Sequence, residues 1–254
     1  MQRNLLASTA STALTASAAF VSSVAIAADL PLKAPPAVAA FSWSGCYAGL
    51  NAGGASTKID QDVTVPGFAT FGSDGRDTGF IGGGQVGCNW QYAPNWVFGV
   101  EGDINYVHAK RSGIFAFDFS SEDTVGGSQS TSLRWLSTVR GRMGYSWDRS
   151  FLYATGGLAI GGVKSSVAAT VTTPGTYAGS YSDTHLGWVV GGGIEHAFSN
   201  RLSAKFEYLH FDLGTANYNV NLVSGDSGGM PTTWPASAKV SGDIFRVGVN
   251  YKLN

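Results

Sequence analysis

The chain has 254 residues, 35 glycines, 12% aromatic and 13% charged residues, and a formal net charge of −1. Soluble domains carry about 25% charged residues, so this composition is charge-poor, and a balance near zero gives no electrostatic case for nucleic acid. After residue 28 no run of 18 or more strongly apolar residues occurs, which argues against a helical membrane protein.

Residues 1–27 have the pattern of a secretory signal: Arg3, then the weakly apolar stretch Leu14 to Ile26, then the small-x-small site Ala25-Ile26-Ala27. Residues 28–42 hold three prolines and no strand pattern, and read as an extended Pro-rich periplasmic leader. Residues 43–254 are expected to form a barrel.

Eight segments alternate with period two, as strands with two different faces must. They are about 45–57, 79–91, 96–109, 132–147, 151–164, 184–198, 202–211 and 243–253. The clearest is WVFGVEGDINY, 96–106. Trp96, Phe98, Val100, Ile104 and Tyr106 share one parity; Glu101, Asp103 and Asn105 share the other.

Three connections are hairpin-length and made of turn residues: Tyr92 to Asn95, Asp148 to Ser150, and Ser199 to Arg201. The other four, about 58–78, 110–131, 165–183 and 212–242, are rich in Gly, Ser, Thr, Asp and Pro and read as long loops. Short and long connections alternate, so the long ones emerge on one side, as in outer-membrane barrels with short periplasmic turns. The expected fold is all-β, an eight-stranded antiparallel transmembrane up-and-down β-barrel in the cell outer membrane.

A lipocalin-like soluble barrel has the same strand count, but its interior would be apolar. Here the apolar parity carries aromatics near strand ends, as an interfacial belt requires: Trp96, Tyr106, Trp135, Trp147, Trp188, Phe198, Phe245 and Tyr251. The other parity carries Glu101, Asp103, Arg134, Arg140, Arg142, Glu195, Lys205, Glu207, Arg246 and Lys252. Charges in a low-dielectric enclosure must be paired. The sequence therefore predicts a lumen salt-bridge network of Glu101, Asp103, Arg140, Arg142, Glu195, Lys205, Glu207 and Arg246. Eight strands make a barrel narrow enough to be filled by its own side chains, and in-strand glycines such as Gly82 to Gly84 and Gly191 to Gly193 leave room for them.

Cys46 and Cys88 both fall on the outward parity near the periplasmic end of the first two strands. A register placing 46 opposite 88 also pairs 50 with 84 and 54 with 80, which predicts a Cys46–Cys88 disulfide. Two free structural thiols are the alternative.

An enzyme acting on lipid A is a further reading, because His185 follows Ser182 and Asp183, and His108 and His210 lie near the tops of their strands. No HExxH, GxSxG or paired CxxC pattern accompanies them. The sequence thus nominates no catalytic, cofactor-binding or metal-binding residue.

Five segments carry a resemblance: WSGCYAGLNAG at 43–53, GFIGGGQVGCNWQ at 79–91, WVFGVEGD at 96–103, LSTVRGRMGY at 136–145 and RVGVNYKL at 246–253. With the mature start Ala-Asp-Leu-Pro, the chain resembles the alphaproteobacterial outer-membrane immunogenic proteins, porin-like members of the OmpA-type β-barrel superfamily. The resemblance implies a structural, surface-antigen role contributing to envelope integrity, with a narrow porin passing ions or small solutes as the alternative. For haem, which some members bind, it points to His185 or His210. No cofactor is otherwise expected. The implied partners are outer-membrane lipid and lipopolysaccharide, the barrel-assembly machinery, and host or surface ligands at the loops, with no nucleic acid.

Overall fold

The computed structural model describes residues 41–67, 69–118, 124–172, 175–225 and 231–253. The signal segment and residues 28–40 of the leader lie outside the described residues. Eight strands follow one another: β1 Gly45–Val65, β2 Ala69–Gln91, β3 Trp96–Asp118, β4 Thr124–Trp147, β5 Ser150–Val171, β6 Gly175–Ala197, β7 Leu202–Gly225 and β8 Thr233–Lys252. Each pairs antiparallel with the next, and β1 returns to β8 from Tyr47↔Lys252 to Val63↔Ala236, closing the barrel.

The alternation seen in the sequence is the alternation of inside and outside. In β8, Phe245, Val247, Val249 and Tyr251 face out, while Arg246, Gly248 and Asn250 face in. In β3, Trp96, Phe98, Val100, Ile104 and Tyr106 are exposed, while Glu101, Asp103 and Asn105 are buried. An apolar exterior over roughly ten residues of each strand matches the ~25 Å band of a membrane barrel.

The strands do not stop where this band stops. The four segments expected to be long loops are strand for most of their length, so the β1–β2 hairpin, for example, stays in register up to Val65↔Ala69. The physical reason is a reversal of the two faces. Above Ile244 in β8, Ser237, Lys239, Ser241 and Asp243 face out, while Trp234, Ala236, Ala238 and Val240 are buried. In β1 the same reversal puts Lys58, Asp60 and Asp62 outside and Ile59, Val63 and Val65 inside. Most of the wall's ladders continue through this level, although β2–β3 pairing ends at Ile81↔Val107 and β6–β7 pairing breaks between Ala178 and Trp188; the exterior meets hydrocarbon below this level and water above it.

The interior is layered accordingly. At the periplasmic mouth Trp43, Val97, Phe151, Tyr153 and Ala197 pack together with Phe41. A polar and charged layer follows. Above it lies an apolar layer that includes Ile81, Leu133, Leu136, Leu209, Phe211 and Ile244. Gln61, Thr131, Ser165 and Tyr218 are hydrogen-bonded to one another above that. Val63, Val125, Tyr177, Val220 and Trp234 belong to the layer that fills the extracellular end.

Two register irregularities fall where the faces change. β3–β4 pairing jumps between Tyr106 and Ala109, and β4–β5 pairing between Leu133 and Trp135. The second irregularity makes Arg134 an extra residue and turns its side chain outward, exposed, although its sequence parity matches Arg140 and Arg142. This corrects its expected place on the inner face. Lys252 likewise sits at the periplasmic rim, where its Nζ donates to the Ser42 carbonyl at 2.9 Å.

Cys46 and Cys88 stand opposite each other and form a disulfide, with Leu50↔Gly84 and Gly54↔Phe80 in the same ladder. Two outcomes follow from this layout. Intact-mass measurement after alkylation should show adducts at both cysteines only when reductant is added first. Val247→Lys, in the middle of the lipid-facing band, should destabilise by about 2–4 kcal/mol in lipid, measured by denaturant unfolding, whereas Ser237→Lys on the extension should leave stability within about 0.5 kcal/mol.

Candidate functional site

The charged layer is built by β3, β4, β6, β7 and β8; β3, β4 and β7 each present two inward residues two apart along the strand, and β6 and β8 one each. Glu101 and Asp103 come from β3, Arg140 and Arg142 from β4, Glu195 from β6, Lys205 and Glu207 from β7, and Arg246 from β8. All eight are 5% exposed or less. Four carboxylates meet four cations, so the formal charge of the layer cancels.

Arg140 is the centre. Its guanidinium reaches Glu101 at 2.5 Å, Asp103 at 3.0 Å and Glu207 at 3.0 Å. Arg246 joins the same acids from the opposite wall, 3.0 Å from Asp103 and 2.6 Å from Glu207. Lys205 Nζ lies 2.7 Å from Glu101. Arg142 bridges Glu101 at 3.2 Å and Glu195 at 2.7 Å. A buried charge without a partner would cost several kcal/mol, so the multiple contacts of each acid are what make burial affordable.

Neutral groups complete the shell. Tyr47 Oη donates to Glu101 at 2.6 Å, and Tyr153 Oη donates to Glu207 at 2.9 Å. Thr138 Oγ1 donates to Asp103 at 2.8 Å, Ser203 Oγ to Glu195 at 2.5 Å, and Asn250 Nδ2 to Glu195 at 2.8 Å. The Arg142 guanidinium also lies 4.7–5.3 Å from the ring centroids of Tyr47, Phe151 and Tyr153, within cation–π range. Sequence reasoning missed Tyr47, Tyr153, Thr138 and Ser203. Their inward parity was available, but a tyrosine at a strand end reads equally well as part of an interfacial belt.

The ladder places a glycine beside most of the long side chains: Gly157 opposite Arg140, Gly99 opposite Arg142, Gly53 opposite Arg246. A Cβ on Gly157 would come within 2.7 Å of the Arg140 Cα, and one on Gly53 within 2.6 Å of the Arg246 Cα. Close approach of the strands at these points needs a residue without a side chain.

Each of the three histidines singled out in the sequence meets a neighbouring polar side chain. His185 Nε2 meets Tyr181 Oη at 2.9 Å, and Ser182, three residues away on a strand, projects from the opposite face. His210 Nδ1 lies 2.9 Å from Asp243 on the outward face. His108 Nδ1 is 3.5 Å from Tyr106 Oη. His185 faces inward and His210 outward, and each is already engaged with a neighbouring side chain.

A closed antiparallel barrel with an apolar, aromatic-edged belt outside and compensated charges inside defines a β-barrel membrane protein. The chain matches the model of the outer membrane protein beta-barrel domain over residues 12–252 and belongs to that family. It is 34% identical to the 31 kDa outer-membrane immunogenic protein of Brucella melitensis over 253 residues, 93% of this chain and 96% of that one. It is also 34% identical to the 22 kDa outer membrane protein of Rhizobium leguminosarum, covering 76% of this chain and 75% of that one. Among solved structures, the outer-membrane protease OmpT of Escherichia coli aligns at 12% identity and TM-score 0.48, over 84% of this chain and 98% of that one; nothing about activity follows from a likeness at that level. The protein resides in the outer membrane.

Removing the central cation tests the pairing. Arg140→Ala leaves Glu101, Asp103 and Glu207 under-compensated in a dry layer, and should destabilise the folded barrel by about 3–5 kcal/mol. Equilibrium unfolding in detergent or lipid measures it, and an unchanged midpoint would show the pairing to be wrong.

Proposed function

We propose that this protein is a non-enzymatic structural barrel and surface antigen of the outer membrane, contributing to envelope integrity, with a lumen filled by charged pairs. The observation that carries this reading is the closure of the charged layer from both sides. Trp43 and Phe151, each 5% exposed or less, lie below it; Ile81, Leu209 and Phe211, at 0%, lie above it. An ion travelling along the axis would have to displace apolar side chains at two levels and break multiply bonded ion pairs between them.

The names of the relatives support a surface-antigen role, since those proteins are called immunogenic. The histidine geometry supports a non-enzymatic reading, since the hydroxyls grouped with a histidine and a carboxylate are the phenols of Tyr181 and Tyr208, and no serine hydroxyl among the described residues meets both an imidazole and a carboxylate. Its partners on this reading are outer-membrane lipid and lipopolysaccharide along the belt, the barrel-assembly machinery during insertion, and host or surface ligands at the extracellular segments. No cofactor takes part.

Conductance is the deciding measurement. Purified protein, shown to be folded by its heat-dependent gel mobility, should give no reproducible openings in planar lipid bilayers. Openings of constant size would overturn the filled-lumen reading in favour of a narrow porin.

A further inference from the structure

Outward-facing cations recur just above the outer aromatic girdle, and they are not all alike. On β1 and β8 they are neutralised by neighbouring acids: Lys58 lies 3.0 Å from Asp60, and Lys239 lies 3.3 Å from Asp212. On β3, β4 and β5 the situation differs. Lys110, Arg134 and Lys164 line one pocket of about 330 Å³ together with His108, and none of the residues lining that pocket is acidic. Among the described residues, no carboxylate lies within ion-pairing distance of these three cations. Asp77 on the neighbouring β2 accepts the backbone N–H of Lys110 at 2.9 Å.

The register explains how the pocket arises. Lys110, Ser132 and Lys164 form one row across three adjacent strands. Ser112, Ser130 and Ser166 form a row above it, with Ser112 Oγ and Ser130 Oγ 3.2 Å apart. Below, the bulge adds Arg134 to the exterior, one step above the girdle pair Tyr106↔Trp135. Lys110 and Lys164 are two strands apart, about 10 Å between backbones, so their long side chains can close on one anion between them. Arg134 supplies a planar fork suited to a phosphate. The serine rows supply hydroxyls that both donate and accept.

The level of the pocket identifies the ligand class. Aromatic girdles mark the boundary between hydrocarbon and headgroups, and Tyr106 of the girdle forms the floor of this pocket. We propose that the β3–β5 face is a binding site for the phosphorylated sugar headgroup of an outer-leaflet glycolipid. Lys110, Lys164 and Arg134 hold the phosphate, and the serine rows hold sugar hydroxyls. The inference rests on the outer-membrane placement of the barrel and gives its lipid partner a specific seat.

The test titrates folded protein in detergent micelles with lipid A carrying its phosphates, with the dephosphorylated lipid, and with inorganic phosphate, and reads bound ligand by native mass spectrometry. The phosphorylated lipid should bind, the dephosphorylated form should bind far more weakly, and inorganic phosphate should not compete at equal concentration. Each cation removed in the series Lys110→Gln, Arg134→Gln and Lys164→Gln should weaken lipid binding about fivefold, while Lys239→Gln should leave it unchanged. Equal binding of the two lipids, unchanged affinity in the triple variant, or competition by inorganic phosphate would each overturn the proposal. Heat-dependent gel mobility of the same samples separates this failure from failure of the barrel itself: a variant that still shifts on boiling retains the barrel whatever it does with lipid.

Discussion

Opposite charges removed from water together hold the centre of this molecule. Four carboxylates and four cations share a layer that no solvent reaches, and each acid contacts at least one cation. Much of the rest follows from that requirement. The barrel must be closed, because an open edge would admit water and let the pairs separate. It must be narrow, because Arg140 and Arg246 reach common acids from different walls. Glycines must stand opposite the longest side chains, because the strands cannot approach otherwise. Tyr47 and Tyr153 must donate to Glu101 and Glu207, because each buried oxygen needs its hydrogen bonds. Arrangements of this kind contribute to specificity more than to net stability, since desolvation offsets much of the attraction. Only one register of β3, β4, β7 and β8 brings all these charges to one height.

The two exteriors answer to two solvents. Within the lipid band, apolar residues cost nothing outside and charges are affordable only inside. Above the band the hydrophobic effect acts again, and the core moves inward to Val63, Tyr177, Val220 and Trp234. Most ladders run through this change, because backbone hydrogen bonds between strands can be made in either environment, but β2 and β3 stop pairing at Ile81↔Val107. The eight strands therefore close a membrane barrel below and carry most of their ladders into water above, and the Lys110–Arg134–Lys164 face lies at the seam.

The lower half was legible in the sequence because its contrast is strong. WVFGVEGDINY declares its two faces unaided, the three tight turns are written in turn residues, and the parity of Cys46 and Cys88 yields the register 46↔88, 50↔84 and 54↔80 found in the ladder. The upper half was not legible to a search for lipid-facing alternation. In β1 the segment from Ser56 to Val65 alternates as faithfully as the segment before it, but with the polar residues on the face that had been apolar. Read with a fixed parity, such a stretch looks like polar loop. A search for a phase reversal within an unbroken alternation would have recovered it. Arg134 failed for a different reason: a single inserted residue changes the parity of everything on one side of it, and nothing local in Leu133-Arg134-Trp135 marks the insertion.

The continuation of the strands beyond the membrane changes what a surface antigen of this shape presents. The described residues of the segments at about 58–78 and 212–242 are paired strands whose outward residues belong to alternate positions and to different strands. A receptor or antibody approaching from outside meets rows running across the sheet, such as Lys58 beside Arg76 on the neighbouring strand. A synthetic peptide covering either segment would offer the same residues in sequence but not in that arrangement, and would expose the valines and the tryptophan that the folded hairpin hides. Whatever meets this surface therefore meets a shape, one that the unfolded chain does not present.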